Sequence, residues 1–266
     1  MAALNDLEVL SADISGAYLN TNAAEKGYTI AGKEFGADKE GRVVVITRAH
    51  YGLQSSGKAW RDHMAATLRD HGYYASCRAD PDVWMHPKTK ANGFHYWSYI
   101  LVYTDDILVV DHEPHKVMAY LASQYTLKPG SVKEPNTYLG AQISKFYIDG
   151  APDPEKPRWA MSSEAYVKQA VSDVELVELS SVDLCLPTRV TTPLSQGYQP
   201  ELEQLRELDS KSGQYYQSLI GVLRWICKLG RVDILVAVSM LSRYVVAPRE
   251  GHLQQVFHLF AYLKHH

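Results

Sequence analysis

WSYILVYTDDILVV, Trp97 to Val110, sets two apolar runs on either side of Thr104-Asp105-Asp106. Two strand-like runs meeting at so short a polar break read as a β-hairpin, although the break lacks the Asn-Gly or Asp-Gly pair that favours the tightest turns. Two adjacent carboxylates at the tip of an apolar hairpin repel each other and resist burial unless a cation neutralises them. A hard divalent metal does that, and because side chains alternate along a strand, one carboxylate is expected to face the site while the other flanks it. An Asp-Asp turn with no ligand at all is an equally ordinary reading of this pair alone. A third oxygen donor has to come from elsewhere, and Asp13, at the end of a strand candidate over Leu7 to Asp13, is the natural one.

Outward from the hairpin the first part of the chain reads as mixed α and β. Arg42 to Thr47 (RVVVIT) is a β-branched run, and Tyr138 to Phe146 is another strand candidate. Between them Gly57 to His71 carries Ala59, Trp60, Met64 and Leu68 at helical spacing, and Gly72 closes it. A second amphipathic stretch runs from His115 to Tyr125. Pro152, Pro154 and Pro157 beside Gly150 mark a boundary, after which Glu164–Leu176, Ser212–Leu229, Val232–Val246 and Gly251–Lys264 all repeat apolar residues three and four apart. The expected class is therefore α+β, with an antiparallel sheet and helices over 1–158 and a mostly helical region over 159–266. No internal repeat or low-complexity tract is present.

The composition of the 266 residues, 46% hydrophobic and 21% charged, is that of a folded globular chain. The formal net charge of −3 excludes a protein that holds nucleic acid by bulk positive charge alone. That figure conceals an uneven distribution: Asp173 to Asp209 holds eight acids against Arg189 and Arg206, a local −6 that leaves +3 elsewhere. The segment reads as a solvated acidic helix or connector. The longest run without Asp, Glu, Lys or Arg is 14 residues, Ala91 to Thr104, short of the ~20 that a bilayer span needs. No signal peptide is indicated at the start, and Cys77, Cys185 and Cys227 are expected to be free thiols in a reducing compartment.

At this point four blocks can be set in order: Asp13-Ile14-Ser15-Gly16-Ala17-Tyr18-Leu19-Asn20, Tyr51-Gly52-Leu53-Gln54-Ser55-Ser56-Gly57-Lys58-Ala59-Trp60, Tyr103-Thr104-Asp105-Asp106 and Tyr138-Leu139-Gly140. Together they resemble the reverse transcriptase of copia-like LTR retrotransposons. Tyr216 to Leu223, Gly230 to Ile234, Leu241 to Tyr244 and Ala261 to Lys264 resemble the blocks of that family between the polymerase palm and ribonuclease H. Any one tetrapeptide is weak; the order and spacing of the set is specific.

The resemblance implies a right-hand polymerase palm over 1–158, with the fingers mostly missing, and a helical thumb with the start of the connection over 159–266. It implies that Asp13, Asp105 and Asp106 bind two Mg²⁺ ions, with Mn²⁺ an alternative, for transfer of dNTPs to a primer 3′-hydroxyl on an RNA or DNA template. Tyr18 would sit under the incoming sugar and exclude a 2′-hydroxyl, with an ordinary core tyrosine beside Leu19 as the lesser alternative. Ser55, Gly57 and Lys58 would line the nucleotide, with Lys58 and Arg61 near phosphate, yet a plain helix start explains them equally. Tyr103, Thr104, Tyr138, Leu139 and Gly140 would meet primer or template. Lys128 stands where a lysine would protonate the leaving pyrophosphate, against the reading of a surface lysine. Thr104 departs from the usual aliphatic residue, but a β-branched side chain suits a strand and is expected to leave the geometry intact.

The same resemblance implies as partners the rest of a retrotransposon polyprotein, namely fingers, ribonuclease H and integrase, with no membrane, and an intracellular location in a cytoplasmic virus-like particle or the nucleus. A weakly active or inactive, repurposed binding module is the competing expectation, and an unrelated metal-dependent phosphohydrolase lacks convincing ligands. Asp111-His112-Glu113-Pro114-His115 looks like metal ligands, but Pro114 breaks the helix that an i, i+4 pair requires, so it reads as a polar turn. His252, His258, His265 and His266 read as the polar face of the last helix. Trp225, Tyr244, Phe257, Phe260 and Tyr262 read as core.

Overall fold

The computed structural model describes residues 1–75, 80–150, 154–179, 186–188 and 190–266. Cys77, Cys185 and Pro152 therefore lie outside the described residues. The chain divides into two compact units, the first made of 1–138 and 145–159 and the second of 139–144 and 160–266. The class is α+β.

The first unit opens with a single turn, α1 (Ala2–Asn5), and β1 (Glu8–Asp13). A short 3₁₀ turn (Ala17–Asn20) leads into β2 (Asn22–Ile30), which pairs with β3 (Val43–Arg48) as a separate two-stranded ribbon. Then come α2 (Ser56–Asp70), β4 (Tyr74–Ala75), β5 (Val83–Thr89), β6 (His95–Tyr103), β7 (Asp106–Asp111) and α3 (Pro114–Gln124). Five of these strands form one antiparallel sheet in the order β1-β7-β6-β5-β4.

Strand alternation explains how this sheet serves two layers. Leu10 and Ala12 of β1, Ile100 of β6, and Ile107 and Val109 of β7 share a core with Trp60, Met64 and Leu68 of α2 and Val117, Met118 and Leu121 of α3. The intervening residues Val9, Leu108 and Val110 join a smaller cluster with Ala2, Leu7, Tyr96 and Trp159. The four-residue spacing of Trp60, Met64 and Leu68 puts all three on one helical face, and Gly72, at φ +86°, turns the chain out of α2. The 3.6-residue period and the period of two are thus both satisfied against one core.

The strand expected over Tyr138–Phe146 is interrupted: β8 is Thr137–Tyr138 and β9 is Ala141–Phe146, with Leu139 at φ +51° and Gly140 at φ +84° between them. The division between the units runs through this segment.

The second unit contains β10 (Arg158–Ser162) in part, then α4 (Glu164–Leu179), α5 (Ser210–Lys228), α6 (Leu235–Ser242) and α7 (Glu250–His265). A 3₁₀ turn, Val232–Ile234, precedes α6, so the helix expected from Val232 is shorter at both ends. α5 starts on Asp209, whose carboxylate accepts the Ser212 amide at 2.8 Å. The core is built from Val167, Val171 and Val174, Tyr216, Ile220 and Leu223, Val238 and Leu241, and Phe257, Leu259 and Phe260.

Two expectations fail here for clear reasons. His252 is buried rather than on a polar face: its Nδ1 accepts the Arg249 amide, its Nε2 meets the Pro200 carbonyl at 3.0 Å, and its ring stacks on Tyr244 at 4.2 Å. With both nitrogens satisfied, a histidine is as comfortable inside as an aromatic. Asp111 is not part of a polar turn either. It ends β7 at 1% exposure, held by Lys88 Nζ at 2.7 Å, the Tyr96 hydroxyl and the Glu113 amide. Among the described residues no helix is long and apolar enough to cross a membrane.

Candidate active site

Register brings the acids together. β1 and β7 pair antiparallel so that Asp13 lies directly opposite Asp106, while β6 and β7 pair Tyr103 with Asp106. Thr104 and Asp105 are left as the two central residues of the hairpin turn. The Asp105 carbonyl accepts the Ile14 amide at 2.9 Å, which ties the turn to the residue after Asp13.

Thr104 corrects the expectation of a strand residue. Its φ is +55°, and it is the only one of the two central residues with a positive value. That sign pattern belongs to a type II′ turn, whose first central position is normally glycine. A β-branched residue there is strained. The carbonyl of Thr104 accepts a hydrogen bond from the indole Nε1 of Trp60, on α2, at 2.7 Å.

A further segment completes the cluster from the free edge of β1. The Ser15 amide donates to Thr126, the Lys128 amide to Asp13 and the Ser11 amide to Lys133, each at 2.8 Å. These irregular backbone bonds place Lys128 Nζ 2.6 Å from Asp13 Oδ2 and 4.0 Å from Asp105 Oδ2. The hydrogen bond to Asp13 holds the Lys128 ammonium above its ordinary pKa, and the charges of Asp13, Asp105 and Asp106 add to it. Burial raises the pKa of Asp106, the carboxylates of Asp105 and Asp13 raise it further, and Lys128 opposes them.

The donor chemistry fits divalent cations. Three hard carboxylates occupy adjoining positions of β1, β7 and the turn, Asp13 Oδ1 is buried without a hydrogen-bond partner, and an ammonium already supplies positive charge beside two of the acids. The carboxylates are not closed into a cage: among the described residues no three His, Cys, Asp or Glu side chains are grouped to hold a metal ion.

The remaining expected site residues separate into two sets. Tyr18 lies against the start of α2, where a Cβ added at Gly57 would stand 3.9 Å from its hydroxyl. Both line a cavity of about 220 Å³ with Trp60, Arg61, Tyr103 and Thr104. Ser55 instead gives its amide and hydroxyl to Glu25 of β2, the latter at 2.9 Å. Lys58 pairs with Asp62 along the exposed surface of α2, and Arg61 with Asp82 at 2.6 Å, so neither projects as an open cation. Tyr138 belongs to the first unit, and burial, with help from Asp106 and Asp80, pushes its hydroxyl pKa up. Leu139 and Gly140 belong to the second unit, where a Cβ on Gly140 would meet the Tyr166 ring at 3.4 Å.

Three contributors escaped the sequence reading. Trp60 was legible only as a core position. Tyr51 lay inside a quoted block without a role; its ring sits 4.6 Å from that of Tyr18, and burial followed by the Asp105 charge raises its pKa. Ser131 donates no sequence signal, yet its hydroxyl accepts the Asp13 amide at 3.2 Å.

The putative transposon Ty5-1 protein of Saccharomyces cerevisiae is 26% identical over 257 residues, covering 94% of this chain and 74% of that protein. The retrovirus-related Pol polyprotein from transposon RE1 of Arabidopsis thaliana is 23% identical over 94% of this chain, and that from transposon TNT 1-94 of Nicotiana tabacum is 24% identical over 99%. The chain spans only 16% and 19% of the lengths of those two polyproteins. These matches agree with the copia-like resemblance of the motif blocks. Residues 1–186 match the family described as reverse transcriptase (RNA-dependent DNA polymerase), and by that match, which takes in more than half of its length, the chain belongs to the reverse transcriptase family.

Proposed function

We propose that this chain carries the palm and helical thumb of an RNA-directed DNA polymerase from a copia-like retrotransposon, joining dNTPs to a primer 3′-hydroxyl. The observation that carries the reading is the pairing of Asp13 opposite Asp106, with Asp105 in the adjoining turn. In the transfer the primer 3′-hydroxyl gives up its proton to solvent, its oxygen forms a bond to the α-phosphorus of the nucleotide, and the bond from that phosphorus to the diphosphate breaks. Bound Mg²⁺ or Mn²⁺ would supply Lewis-acid activation of the hydroxyl and charge neutralisation of the phosphates. Asp13, Asp105 and Asp106 are the residues that would hold the two ions.

The chain's own groups supply orientation and protons. Lys128 Nζ, already beside Asp13 and Asp105, gives a proton to the departing diphosphate. Tyr18, braced by Tyr51, presents a ring against the sugar and leaves no room for a 2′-hydroxyl. The partners of this reading are a primed RNA or DNA template, dNTPs and the other parts of a Pol polyprotein. Its place is a cytoplasmic particle or the nucleus.

Primer extension on RNA with Mg²⁺ or Mn²⁺ is the test. Asp105→Asn is expected to lower incorporation by about three orders of magnitude, the scale of loss when electrostatic stabilisation of the transition state is removed. Incorporation at the wild-type rate by that variant sinks the assignment. A second reading, a repurposed binding module, draws on Lys128 occupying the charge-neutralising position. A wild-type chain that binds primed template without extending it favours that reading.

A further inference from the structure

The central peptide of a two-residue turn, here Thr104–Asp105, has two orientations, and flipping it interconverts types I′ and II′ while the flanking strands stay paired. Only one orientation points the Thr104 carbonyl at Trp60. The indole Nε1 reaches that carbonyl at 2.7 Å, and the carbonyl of Asp105, one peptide further on, is held by the Ile14 amide at 2.9 Å. The Asp105 backbone is therefore gripped on both sides, from α2 and from β1. Trp60 itself is fixed, 2% exposed in the core and edge-on to Tyr125 at 5.3 Å. Against this, the first central position of a type II′ turn is one that glycine fills, whereas type I′ asks only for the left-handed conformation there, so the β-branched Thr104 favours the flip. A strained residue persists where its surroundings over-determine it.

We infer that Trp60 is a positioning residue for the acidic turn: its indole N–H selects the orientation of the Thr104–Asp105 peptide and so sets where the Asp105 carboxylate stands relative to Asp13 and Asp106. The inference deepens the polymerase reading and, for its effect on cations, rests on it. Its physical signature is a dependence that the turn residue can cancel. Glycine at position 104 adopts the positive φ without strain, so a Thr104→Gly turn holds its orientation with no clamp.

The experiment uses the full chain in five forms: wild type, Trp60→Phe, Thr104→Gly, the double variant, and Leu68→Ala. Leu68 is buried on the same helix, two turns beyond Trp60. Mn²⁺ alone is titrated by electron paramagnetic resonance, and exchange of the Ile14 amide is followed by NMR. Trp60→Phe keeps a ring in the core but loses the donor, and it is expected to weaken Mn²⁺ binding roughly tenfold, the scale for losing a group that orients a ligand. The same change speeds Ile14 amide exchange. Thr104→Gly alone and the double variant hold wild-type values for both readouts. Leu68→Ala unfolds more easily yet binds Mn²⁺ as wild type does.

Wild-type behaviour of Trp60→Phe overturns the inference, as does a double variant no better than Trp60→Phe or a Leu68→Ala variant with the same loss. Should Trp60→Phe fold only in the presence of Thr104→Gly, the clamp is supported; failure to fold in both backgrounds overturns it. A wild-type chain that neither binds Mn²⁺ nor extends a primer removes the polymerase reading, and the clamp is then decided by the Ile14 amide alone.

Discussion

The first unit contains two hairpins of similar local pattern and opposite fate. In β6–β7, Ile100, Ile107 and Val109 are wholly buried beneath α2 and α3, and the connecting turn is gripped by side-chain and backbone hydrogen bonds. In β2–β3, Tyr28 lies opposite Val45 and Ile30 opposite Val43, so four apolar side chains share one face, and each is 68–76% exposed. Both are rich in β-branched residues. What separates them is the partner layer: β7 has β1 on its far side and helices over its face, whereas β2 and β3 have no strand partner but each other and leave this face in water. Strand propensity makes a ribbon, and burial makes a foundation stiff enough to carry opposed carboxylates.

The largest test of that contrast is a matched truncation. Ile107→Ala removes a fully buried side chain beside the acidic turn and is expected to cost about 3–4 kcal/mol in chemical denaturation. Val45→Ala, on the exposed face of the ribbon, is expected to stay within about 0.5 kcal/mol of wild type. Equal losses would break the comparison.

A slightly smaller effect tests how the far end of β7 is held. Lys88→Met leaves the Asp111 carboxylate buried without its cation, at a cost of about 3 kcal/mol at neutral pH. The pH dependence follows from the direction of the Asp111 shift. Burial alone raises its pKa, but the Lys88 hydrogen bond, then Ser98 and the Glu113 amide, outweigh it and hold the group below its ordinary value. A depressed folded-state pKa means that the unfolded chain binds the proton first as acid is added. The contribution is therefore fully present above the unfolded value of about 4 and disappears as pH falls through the folded one. Denaturation midpoints of wild type and Lys88→Met should converge in that acid window; a gap unchanged from neutral pH down to strong acid contradicts the assignment.

The contrast also marks what could be read in advance. The β6–β7 hairpin was legible because apolar runs on either side of a three-residue polar break leave one strand pairing, and Asp13 was legible because it ends a short apolar strand. The turn type was not. Local preference at Thr104 argues against a positive φ, and the conformation is decided by Trp60, 44 positions earlier in the chain. Lys128 reaches Asp13 through irregular pairing of 126–133 with β1, a segment without strand periodicity. β2 escaped notice because Glu25, Lys26 and Gly27 dilute its pattern and the register shifts between Asn22 and Gly27. His252 was misplaced because amphipathic spacing counts histidine as polar, whereas a backbone carbonyl, a backbone amide and a stacked ring satisfy it inside.

The smallest expected effect is the most discriminating about the ribbon. Replacing Tyr28 and Val45 together by threonine keeps a strand-compatible side chain at each position and removes apolar area that is already in water. Since the folded and unfolded chains hydrate those groups alike, the hydrophobic contribution nearly cancels, and the double variant should lie within about 0.5 kcal/mol of wild type. Thermal unfolding at two protein concentrations measures this. A loss above about 1 kcal/mol that grows with concentration would mean that the face is covered in solution by a second copy, because only a group leaving water on folding or association can contribute so much and only association depends on concentration. The ribbon would then resemble the central hairpin after all, with its missing layer supplied by another chain.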